Sequence, residues 1–326
     1  MTAVFRRGVW EMEFVIGEEF DGRTVKDLLY QRGVSRGLIT RLKGMPDGIT
    51  LNGEHVTVRR VLEKGDRLRI AVGDTHEEEN EFLVPTEMPL FVLYEDEAVM
   101  ALDKPAGMPT HPSRGHYDDT LANGLAFMFG KRGRPFVFRA VNRLDRETSG
   151  IVLVAKDRLA ASEYSALMCD GRIHKSYIAI LNGTPEKEGT IDAPIRRKPG
   201  STMLRETCSA DDEGAKPAVT RYRLLAVSPD RKVSMVLAEP VTGRTHQIRV
   251  HFASIGCPLV GDGLYGTAES FPTDADGMIS RHALHAVRLE VCRGSSPLVI
   301  DSSLPADMAR LAGDFFPDVS RVNEKI

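Results

Sequence analysis

The chain is poor in the residues that mark several classes of protein. Its 326 residues include only four cysteines and one tryptophan, and no two cysteines have the C-x-x-C spacing. That scarcity argues against a zinc ribbon and against a disulfide framework. The longest apolar stretch, TLANGLAFMFG, is well short of a bilayer span, and the N-terminus lacks the apolar core of a secretory signal. These absences predict a cytoplasmic protein without a membrane-spanning segment.

The charge is nearly balanced overall but unevenly distributed. A formal net charge of −3 gives no general attraction to nucleic acid. Residues 20–72, however, contain 11 Lys/Arg against 6 Asp/Glu, and residues 73–88 contain six acids and neither Lys nor Arg. A basic block followed by an acidic one marks a boundary and suggests an anionic partner. We therefore predict a basic module over 13–72, an acidic linker over 73–88 and a larger domain over 89–326.

The basic module has the pattern of two short helices followed by a hairpin. Thr24 and Asp27 have the spacing of a capping box at the start of the first helix, and Ser35 caps the second. The segment ITLNGEHVTV (49–58) places Asn-Gly between alternating apolar residues, a strong hairpin signal. Three cations of the second helix are expected to project outward and are candidates for binding RNA phosphates: Arg36, Arg41 and Lys43.

The remainder of the chain is rich in short apolar runs separated by turns. We predict strands over 90–95, 98–104, 136–141, 150–156, 175–181, 218–227 and 232–241, and helices over 118–130, 157–170 and 245–255. Because regular crossover helices between the strands are lacking, the pattern favours an α+β domain with a mixed, largely antiparallel sheet.

Two further patterns carry weak signals. The segment GDGLYG (261–266) matches a dinucleotide fingerprint formally, but Pro272 follows too soon for a helix, so we predict a tight loop. His246 with His251, and His282 with His285, are spaced like pairs of metal ligands. Since no carboxylate or thiolate completes either pair in the sequence, we expect no metal.

The segment VNRLDRETSG (141–150) is unusually polar for a connection between two predicted strands. It has four charges within five residues, at Arg143, Asp145, Arg146 and Glu147. Taken alone, it could be a solvated hairpin loop. It is followed, however, by KSYIAILNG (175–183) and TGRTHQIRVHFASIGCPLVGDGLYG (242–266).

Together these blocks resemble the signature of the RluA family of pseudouridine synthases. The resemblance extends to LDKPAGMPTHP (102–112) and RHALHAVRLE (281–290), and the basic module resembles an S4 RNA-binding domain. It implies a pseudouridine synthase fold and the isomerisation of uridines in structured RNA, with ribosomal RNA expected ahead of transfer RNA. It also implies a monomer without cofactor or metal.

The resemblance implies catalytic roles for three residues. Asp145 corresponds to the nucleophile, Arg249 to its ion-pair partner, and Tyr177 to the tyrosine that lies against the uracil ring and is a candidate base at C5. A carboxylate suits this reaction because the bond broken is glycosidic. Whether Asp145 attacks the sugar directly or by way of a glycal intermediate stays open.

Other residues are expected to bind the RNA. Arg143 resembles the residue that enters the space left by a flipped uridine. The family usually has His at the position of Asn142, so the way this loop holds RNA stays open. Arg146, Arg244 and His246 are also expected to bind the RNA.

Two other functions compete with this interpretation. A non-catalytic S4-type RNA-binding or assembly factor would predict a degenerate loop, whereas Asp145, Tyr177 and Arg249 are all present. A glycoside hydrolase would need a second carboxylate across the substrate, and Glu147 is close to Asp145 in sequence. The synthase is the favoured hypothesis.

Overall fold

The computed structural model describes residues 2–6, 9–72, 83–230, 232–266, 279–294 and 296–316. The chain divides into two compact units. The first unit comprises Met1–Leu102, His111–Arg143 and Val152–Asp170, and the second comprises Asp103–Thr110, Leu144–Ile151 and Gly171–Ile326. No helix in the described ranges is long and apolar enough to cross a membrane.

The first unit begins with five strands and two helices: β1 (Thr2–Arg6), β2 (Val9–Val15), α1 (Val25–Gln31), α2 (Arg36–Leu42), β3 (Ile49–Leu51), β4 (Glu54–His55) and β5 (Arg67–Ala71). The strands form an antiparallel sheet in the order β1-β2-β5-β3-β4. The apolar sides of α1 and α2 pack with this sheet in one core, which also includes Leu159.

The helix caps and the hairpin predicted for this module are confirmed. The capping box of Thr24 and Asp27 is present at α1, and the Ser35 hydroxyl accepts from the Leu38 amide at α2. The hairpin turns at Asn52 and Gly53, which both have positive φ, as the Asn-Gly pair requires. Strands β1 and β2 were not predicted. Of the predicted linker, residues 73–82 lie outside the described residues, and 83–88 have no regular structure.

The first unit continues with β6 (Phe91–Glu95), β7 (Val99–Lys104), α3 (Leu121–Lys131), β8 (Ser149–Ala155) and α4 (Arg158–Cys169). Strands β6, β7 and β8 are neighbours in that order, and the chain passes between the units within β7 and within β8. The predicted helices over 118–130 and 157–170 are confirmed as Leu121–Lys131 and Arg158–Cys169. Thr120 and Asp157 are their N-caps.

The strand predicted over 136–141 is wrong. This segment makes only an isolated bridge between Ala140 and Val154. Phe136 stacks on Phe129 of α3 with ring centroids 4.3 Å apart. The next amide of β8, that of Leu153, donates to the side-chain oxygen of Asn142 at 2.8 Å, so a side chain occupies the donor that a longer strand would use.

The second unit contains the remaining elements: β9 (Ile173–Asn182), β10 (Glu188–Asp192), β11 (Ile195–Arg197), β12 (Arg205–Thr207), β13 (Val219–Val227), β14 (Val233–Pro240), α5 (Gln247–Ser254), β15 (Leu284–Val291), β16 (Leu298–Asp301) and α6 (Ala306–Phe315). Its sheet has the antiparallel order β10-β13-β14-β9-β15, with β16 antiparallel to β15. Ser149 and Gly150 of β8 pair with β15 in parallel. The predicted α+β class with a mixed, largely antiparallel sheet is confirmed.

Helix α5 differs from its prediction at the C-terminal end. Ile255, the last residue of the helix predicted over 245–255, is 41 % exposed, whereas Ile248 and Phe252 are buried. The helix ends at Ser254, and Gly256 follows with φ of +75°. Ile255 is therefore the C-cap and leaves the helical face on which Ile248 and Phe252 lie.

Candidate active site

The polar segment 144–150 is a tight turn that leads into β8. The Thr148 amide donates to the Asp145 carbonyl at 3.1 Å, and the Thr110 hydroxyl donates to the Leu144 carbonyl at 3.0 Å. Gly150 faces Ala286 of β15 and has φ of +109°. A Cβ atom there would lie 2.3 Å from the Ala286 carbonyl oxygen, so only glycine allows β8 to approach β15 at this point.

Asp145 faces a buried arginine that already has another carboxylate partner. The Arg249 Nη1 atom lies 3.4 Å from Asp145 Oδ2. The Nε and Nη2 atoms of Arg249 each donate to a carboxylate oxygen of Asp262 at 2.8 Å. The side chain of Asp262 is 0 % exposed, that of Arg249 is 5 % exposed, and that of Asp145 is 27 % exposed. Asp145, Arg249 and Asp262 thus form a chain of three charged groups, of which Asp145 is the most exposed.

The charges of this chain depend on one another. Burial alone would lower the pKa of Arg249, but its hydrogen bonds to Asp262 and the nearby negative charges raise it. Burial alone would raise the pKa of Asp262, but the Arg249 guanidinium outweighs burial and lowers it. The Arg249–Asp262 pair is therefore ionised, and the backbone amides of Leu264 and Tyr265 also donate to Asp262.

Tyr265 and His246 complete the surroundings of Asp145. The Arg249 guanidinium lies over the Tyr265 ring, 5.0 Å from its centroid. The Tyr265 hydroxyl accepts from the Arg205 amide at 2.9 Å and lies 2.7 Å from His246 Nδ1. The other ring nitrogen of His246, Nε2, lies 3.9 Å from Asp145 Oδ2.

His246 has a strained backbone. It has φ of +58° and ψ of 19°, in the left-handed region, and is the N-cap of α5. Such a conformation in a residue other than glycine costs roughly 1–3 kcal/mol and persists where the surroundings require it. Burial lowers the pKa of His246, and Arg249 lowers it further against the opposing effect of Asp145. We infer a neutral imidazole beside the carboxylate.

The buried side chain of Lys104 binds backbone carbonyls in the turn and in the segment after β7. Its ammonium group is fully buried and donates to the carbonyls of Pro105 and Met108 at 2.8 Å and of Arg146 at 3.0 Å. Burial lowers the pKa of Lys104 to about 7, and the charges of Glu147 and Asp145 oppose this effect. Only the ammonium form has three hydrogens for the three carbonyls, so protonated Lys104 is the form that this geometry requires.

Two buried histidines contact the end of the turn. His282 Nε2 lies 2.7 Å from the Thr148 hydroxyl, and His285 Nδ1 lies 2.9 Å from the Ser149 hydroxyl. Burial lowers the pKa of His282 to about 3 and that of His285 to about 4, so both are neutral near pH 7. Within the described ranges, no group of three or more His, Cys, Asp or Glu is arranged to hold a metal ion.

Tyr177 lies in the middle of β9, paired with β14 and β15. It is 7 % exposed, and burial raises its pKa, with a further contribution from the negative charge of Asp145. Its phenol is therefore protonated near neutral pH. Tyr177, Asp145 and Arg249 all belong to the second unit, and Tyr177 is within electrostatic reach of Asp145.

The predicted RNA-binding residues fall in different surroundings. Arg143 is exposed, whereas Asn142 is buried and bonded to the Leu153 amide. The exposed Arg146 side chain donates to Glu147 at 2.8 Å, and the exposed Arg244 side chain donates to the Pro217 carbonyl at 2.9 Å. The cations of α2 are all exposed in the first unit: Arg36, Arg41 and Lys43.

Asp262 is the residue of the site that the sequence analysis missed. It lies in GDGLYG, where the prediction of a tight loop is confirmed. Gly261 has φ of +73°, and a Cβ atom there would lie 2.1 Å from the Arg281 carbonyl oxygen. The available signal was a carboxylate between two glycines, 13 residues after Arg249.

Comparison with known proteins identifies the family. Residues 98–254 match the family model described as RNA pseudouridylate synthase. The chain is 37 % identical to the uncharacterized RNA pseudouridine synthase YjbO of Bacillus subtilis, over 88 % of this chain and 98 % of that protein. It is 36 % identical to the ribosomal large subunit pseudouridine synthase D of Xanthomonas campestris, over 84 % of this chain and 83 % of that protein.

Solved structures agree with this result. The structure of human RNA Pseudouridylate Synthase Domain Containing 1 superposes with a TM-score of 0.54 at 28 % identity, covering 67 % of this chain and 84 % of that one. The chain therefore belongs to the RNA pseudouridylate synthase family, with the pseudouridine synthase fold. It is an enzyme that isomerises uridine in RNA to pseudouridine, as the sequence predicted.

Proposed function

We propose that Asp145 is the nucleophile of this isomerisation, that Arg249 is its ion-pair partner, and that Tyr177 lies against the uracil ring. The observation that carries the proposal is the 3.4 Å approach of the buried Arg249 guanidinium to the partly accessible Asp145 carboxylate. Asp262 binds the other two nitrogens of Arg249 and so orients the remaining nitrogen toward Asp145.

The reaction suits a carboxylate without further reagents. The bond between C1′ and N1 of the uridine breaks, the base turns, and a bond forms between C1′ and C5. A proton leaves C5, and N1 gains one, so the net change is an isomerisation. Carboxylates serve as nucleophiles at such glycosidic centres, and the Arg249 guanidinium lies 3.4 Å from the carboxylate that would attack.

The surroundings of Tyr177 favour one of its two expected roles. Burial and the Asp145 charge raise the pKa of the phenol, so a phenolate is not its resting form. A neutral ring beside Asp145 is suited to contact the apolar face of the base. We therefore assign Tyr177 to positioning the uracil. A protonated phenol could remove the C5 proton only by giving up its own hydroxyl proton.

RNA binding is proposed for exposed cations of both units, together with His246 and Asn142. Arg143 is suited to enter the space left by the flipped uridine, since its planar guanidinium can stack on bases and bind phosphates. Arg146, Arg244 and His246 would contact nucleotides near the target, while Asn142 acts on the same segment through the Leu153 amide. The S4-like module over 13–72 would dock on the RNA through Arg36, Arg41 and Lys43.

The proposed substrate is ribosomal RNA. Several relatives are named ribosomal large subunit pseudouridine synthase D, including the one from Xanthomonas campestris. Transfer RNA is the second candidate. We propose that the chain acts as a cytoplasmic monomer, with the module over 13–72 followed by the linker over 73–88 and a catalytic domain over 89–326.

The test compares purified wild-type protein with Asp145→Ala on unmodified ribosomal and transfer RNA transcripts, mapping pseudouridine by position. We expect wild type to modify ribosomal RNA and Asp145→Ala to lose activity by on the order of 10⁴-fold or more. Asp211→Ala, at an exposed position of the same unit, is the matched control and should retain full activity.

Each outcome bears on a separate part of the proposal. Activity that persists in Asp145→Ala contradicts the assignment of the nucleophile. Modification confined to transfer RNA contradicts the proposed substrate but leaves the site unchanged. Binding without isomerisation in naked transcripts calls for the same assay on partly assembled ribosomal particles.

A further inference from the structure

A second buried arginine connects the C-terminal helix to the candidate catalytic turn. The side chain of Arg281 is 4 % exposed. Its Nε and Nη2 atoms donate to the two carboxylate oxygens of Asp307, in the first turn of α6, at 2.7 and 3.1 Å. This is a bidentate pair, the geometry that best restricts the orientation of a guanidinium.

The remaining donors of Arg281 contact the turn and the start of β15. Its Nη1 atom donates to the Glu147 carbonyl at 3.0 Å and to the carbonyls of His282 and Leu284 at 3.2 Å. Its Nη2 atom lies 3.3 Å from the Ser149 hydroxyl. Glu147 comes two residues after Asp145, within the turn closed by the bond from the Thr148 amide to the Asp145 carbonyl. Arg281 thus binds the backbone of the turn that carries Asp145.

The attachment of α6 to its unit does not depend on this pair. Met308, Leu311 and Ala312 of α6 are fully buried in a core with Ile178 and Val287 of the sheet. The helix thus has its own apolar anchorage, and Asp307 lies at its start with a side chain that is 35 % exposed. Burial alone would raise the pKa of Asp307, but Arg281 lowers it, so the carboxylate is ionised near neutral pH.

We propose that Arg281 and Asp307 are positioning residues for the isomerisation, with Asp307 orienting Arg281, and Arg281 fixing the Glu147 carbonyl and thereby the direction of Asp145. The inference rests on the proposed role of Asp145 as nucleophile. It gives the C-terminal helix a part in the reaction although the helix contributes no residue to the chemistry.

The test measures single-turnover pseudouridine formation and RNA affinity for wild type, Asp307→Asn and Asp307→Glu in the full-length chain. Asp307→Asn should lower the rate constant about 10- to 100-fold, because small misplacements of a reacting group have effects of this size. The RNA dissociation constant should stay within about twofold of wild type, since Asp307 acts on catalysis and not on docking. Asp307→Glu keeps the charge and should recover part of the rate.

Asp314→Asn is the matched control, because Asp314 is exposed on the same helix. It should behave as wild type. Hydrogen exchange of the peptide spanning 144–150 supplies a second measurement, with faster exchange expected in Asp307→Asn while the core strands stay protected. If Asp307→Asn does not fold, Arg281→Lys replaces it, since lysine keeps the charge but loses the two-pronged contact.

Three results would overturn the inference: a wild-type rate in Asp307→Asn or its replacement, a loss explained by a smaller folded fraction, or a loss confined to RNA affinity. Asp145→Ala in the same assay separates this from the proposed function. If Asp145→Ala is inactive and Asp307→Asn is fully active, only the positioning role fails. If Asp145→Ala is active, the assigned nucleophile fails, and the positioning role fails with it.

Discussion

The basic N-terminal module and the candidate catalytic turn both contain many charges, but the cations on the second helix of the module are exposed, whereas the cations that bind the turn from other segments are buried. On α2, the apolar residues Leu38, Ile39 and Leu42 are buried, and the cations point to solvent. At the turn, the charged groups of Lys104 and Arg249 are themselves buried and bonded. Exposed charge provides long-range attraction to a polyanion, whereas buried charge with fixed partners provides geometry and a defined protonation state.

The largest effect is expected from a substitution in the buried Arg249–Asp262 pair. Asp262→Asn removes the charge that neutralises Arg249 and should destabilise the protein by about 3–5 kcal/mol, the usual result of breaking a buried pair. Activity should fall as well, since Arg249 loses its orienting partner. Chemical denaturation of wild type and variant at pH 7 measures the first effect, and the single-turnover rate measures the second.

The control is Asp301→Asn. Arg288 and Asp301 form an equally close pair, at 2.6 and 3.1 Å, but their side chains are 33 % and 56 % exposed. Loss of this exposed pair should lower the free energy of unfolding by no more than about 1 kcal/mol. Equal losses in the two variants would contradict the distinction between buried and exposed charge.

Acid titration sharpens the same test. The folded pKa of Asp262 lies below the ordinary 3.8, so on acidification the unfolded chain takes up this proton first. The contribution of Asp262 to stability is therefore fully present above about pH 4 and is lost as pH falls through the folded value. Asp262→Asn should lack this part of the acid dependence.

The next effect concerns Lys104 and pH. Because its pKa is lowered to about 7, wild type should lose activity as pH rises through 7 and the three carbonyls lose a donor. Lys104→Met should be roughly tenfold less active at pH 6.5 and should lack this limb of the pH–rate profile. A wild-type profile that is flat between pH 6 and 9 would count against the role of the ammonium.

The predicted loss of activity above pH 7 is distinct from any effect of Lys104 on folding, because deprotonation of Lys104 changes stability in the opposite direction. The folded pKa of about 7 lies below the ordinary 10.5, so the unfolded chain holds more protons between these values. The contribution of Lys104 to stability therefore rises with pH across this window while the activity falls.

The smallest effect on the folded protein is expected at the basic module. Replacing Arg36, Arg41 and Lys43 by Gln should weaken RNA binding roughly tenfold and reduce the slope of log affinity against log salt by up to about 3. Stability and the rate at saturating RNA should be unchanged. Filter binding at several salt concentrations provides the measurement.

A control variant with three substitutions distinguishes docking by the basic module from an effect of net charge. Arg172, Lys187 and Lys216 are exposed in the second unit, and their replacement by Gln removes the same charge. If both triples weaken binding equally, the effect is one of net charge, and the module has no special place in docking.

Local sequence signals predicted local structure well. Capping residues and the Asn-Gly pair defined α1, α2 and the hairpin, because these depend on contacts within three or four residues. The β-branched runs predicted most strands of the larger domain. The prediction over 136–141 failed because Phe136 and Asn142 found tertiary partners that compete with the sheet ladder.

The site was predicted only in part for the same reason. The motifs singled out Asp145, Arg249 and Tyr177, which the fold gathers in one unit. No pattern disclosed that Asp262 is the closer partner of Arg249, or that Arg281 bridges the turn to Asp307. Such pairings are specified by the packing of distant segments, and a carboxylate in the sequence does not reveal which arginine it will meet.

By itself, the sequence determined the family, the α+β class, helices α1 and α2 with their caps and the three candidate catalytic residues, because each depends on neighbouring residues or on motifs in a fixed order. Only the tertiary structure decided which charges are buried and which partner each one has. Burial and pairing arise from residues far apart in the chain, and they set the protonation states of Arg249, Asp262 and Lys104.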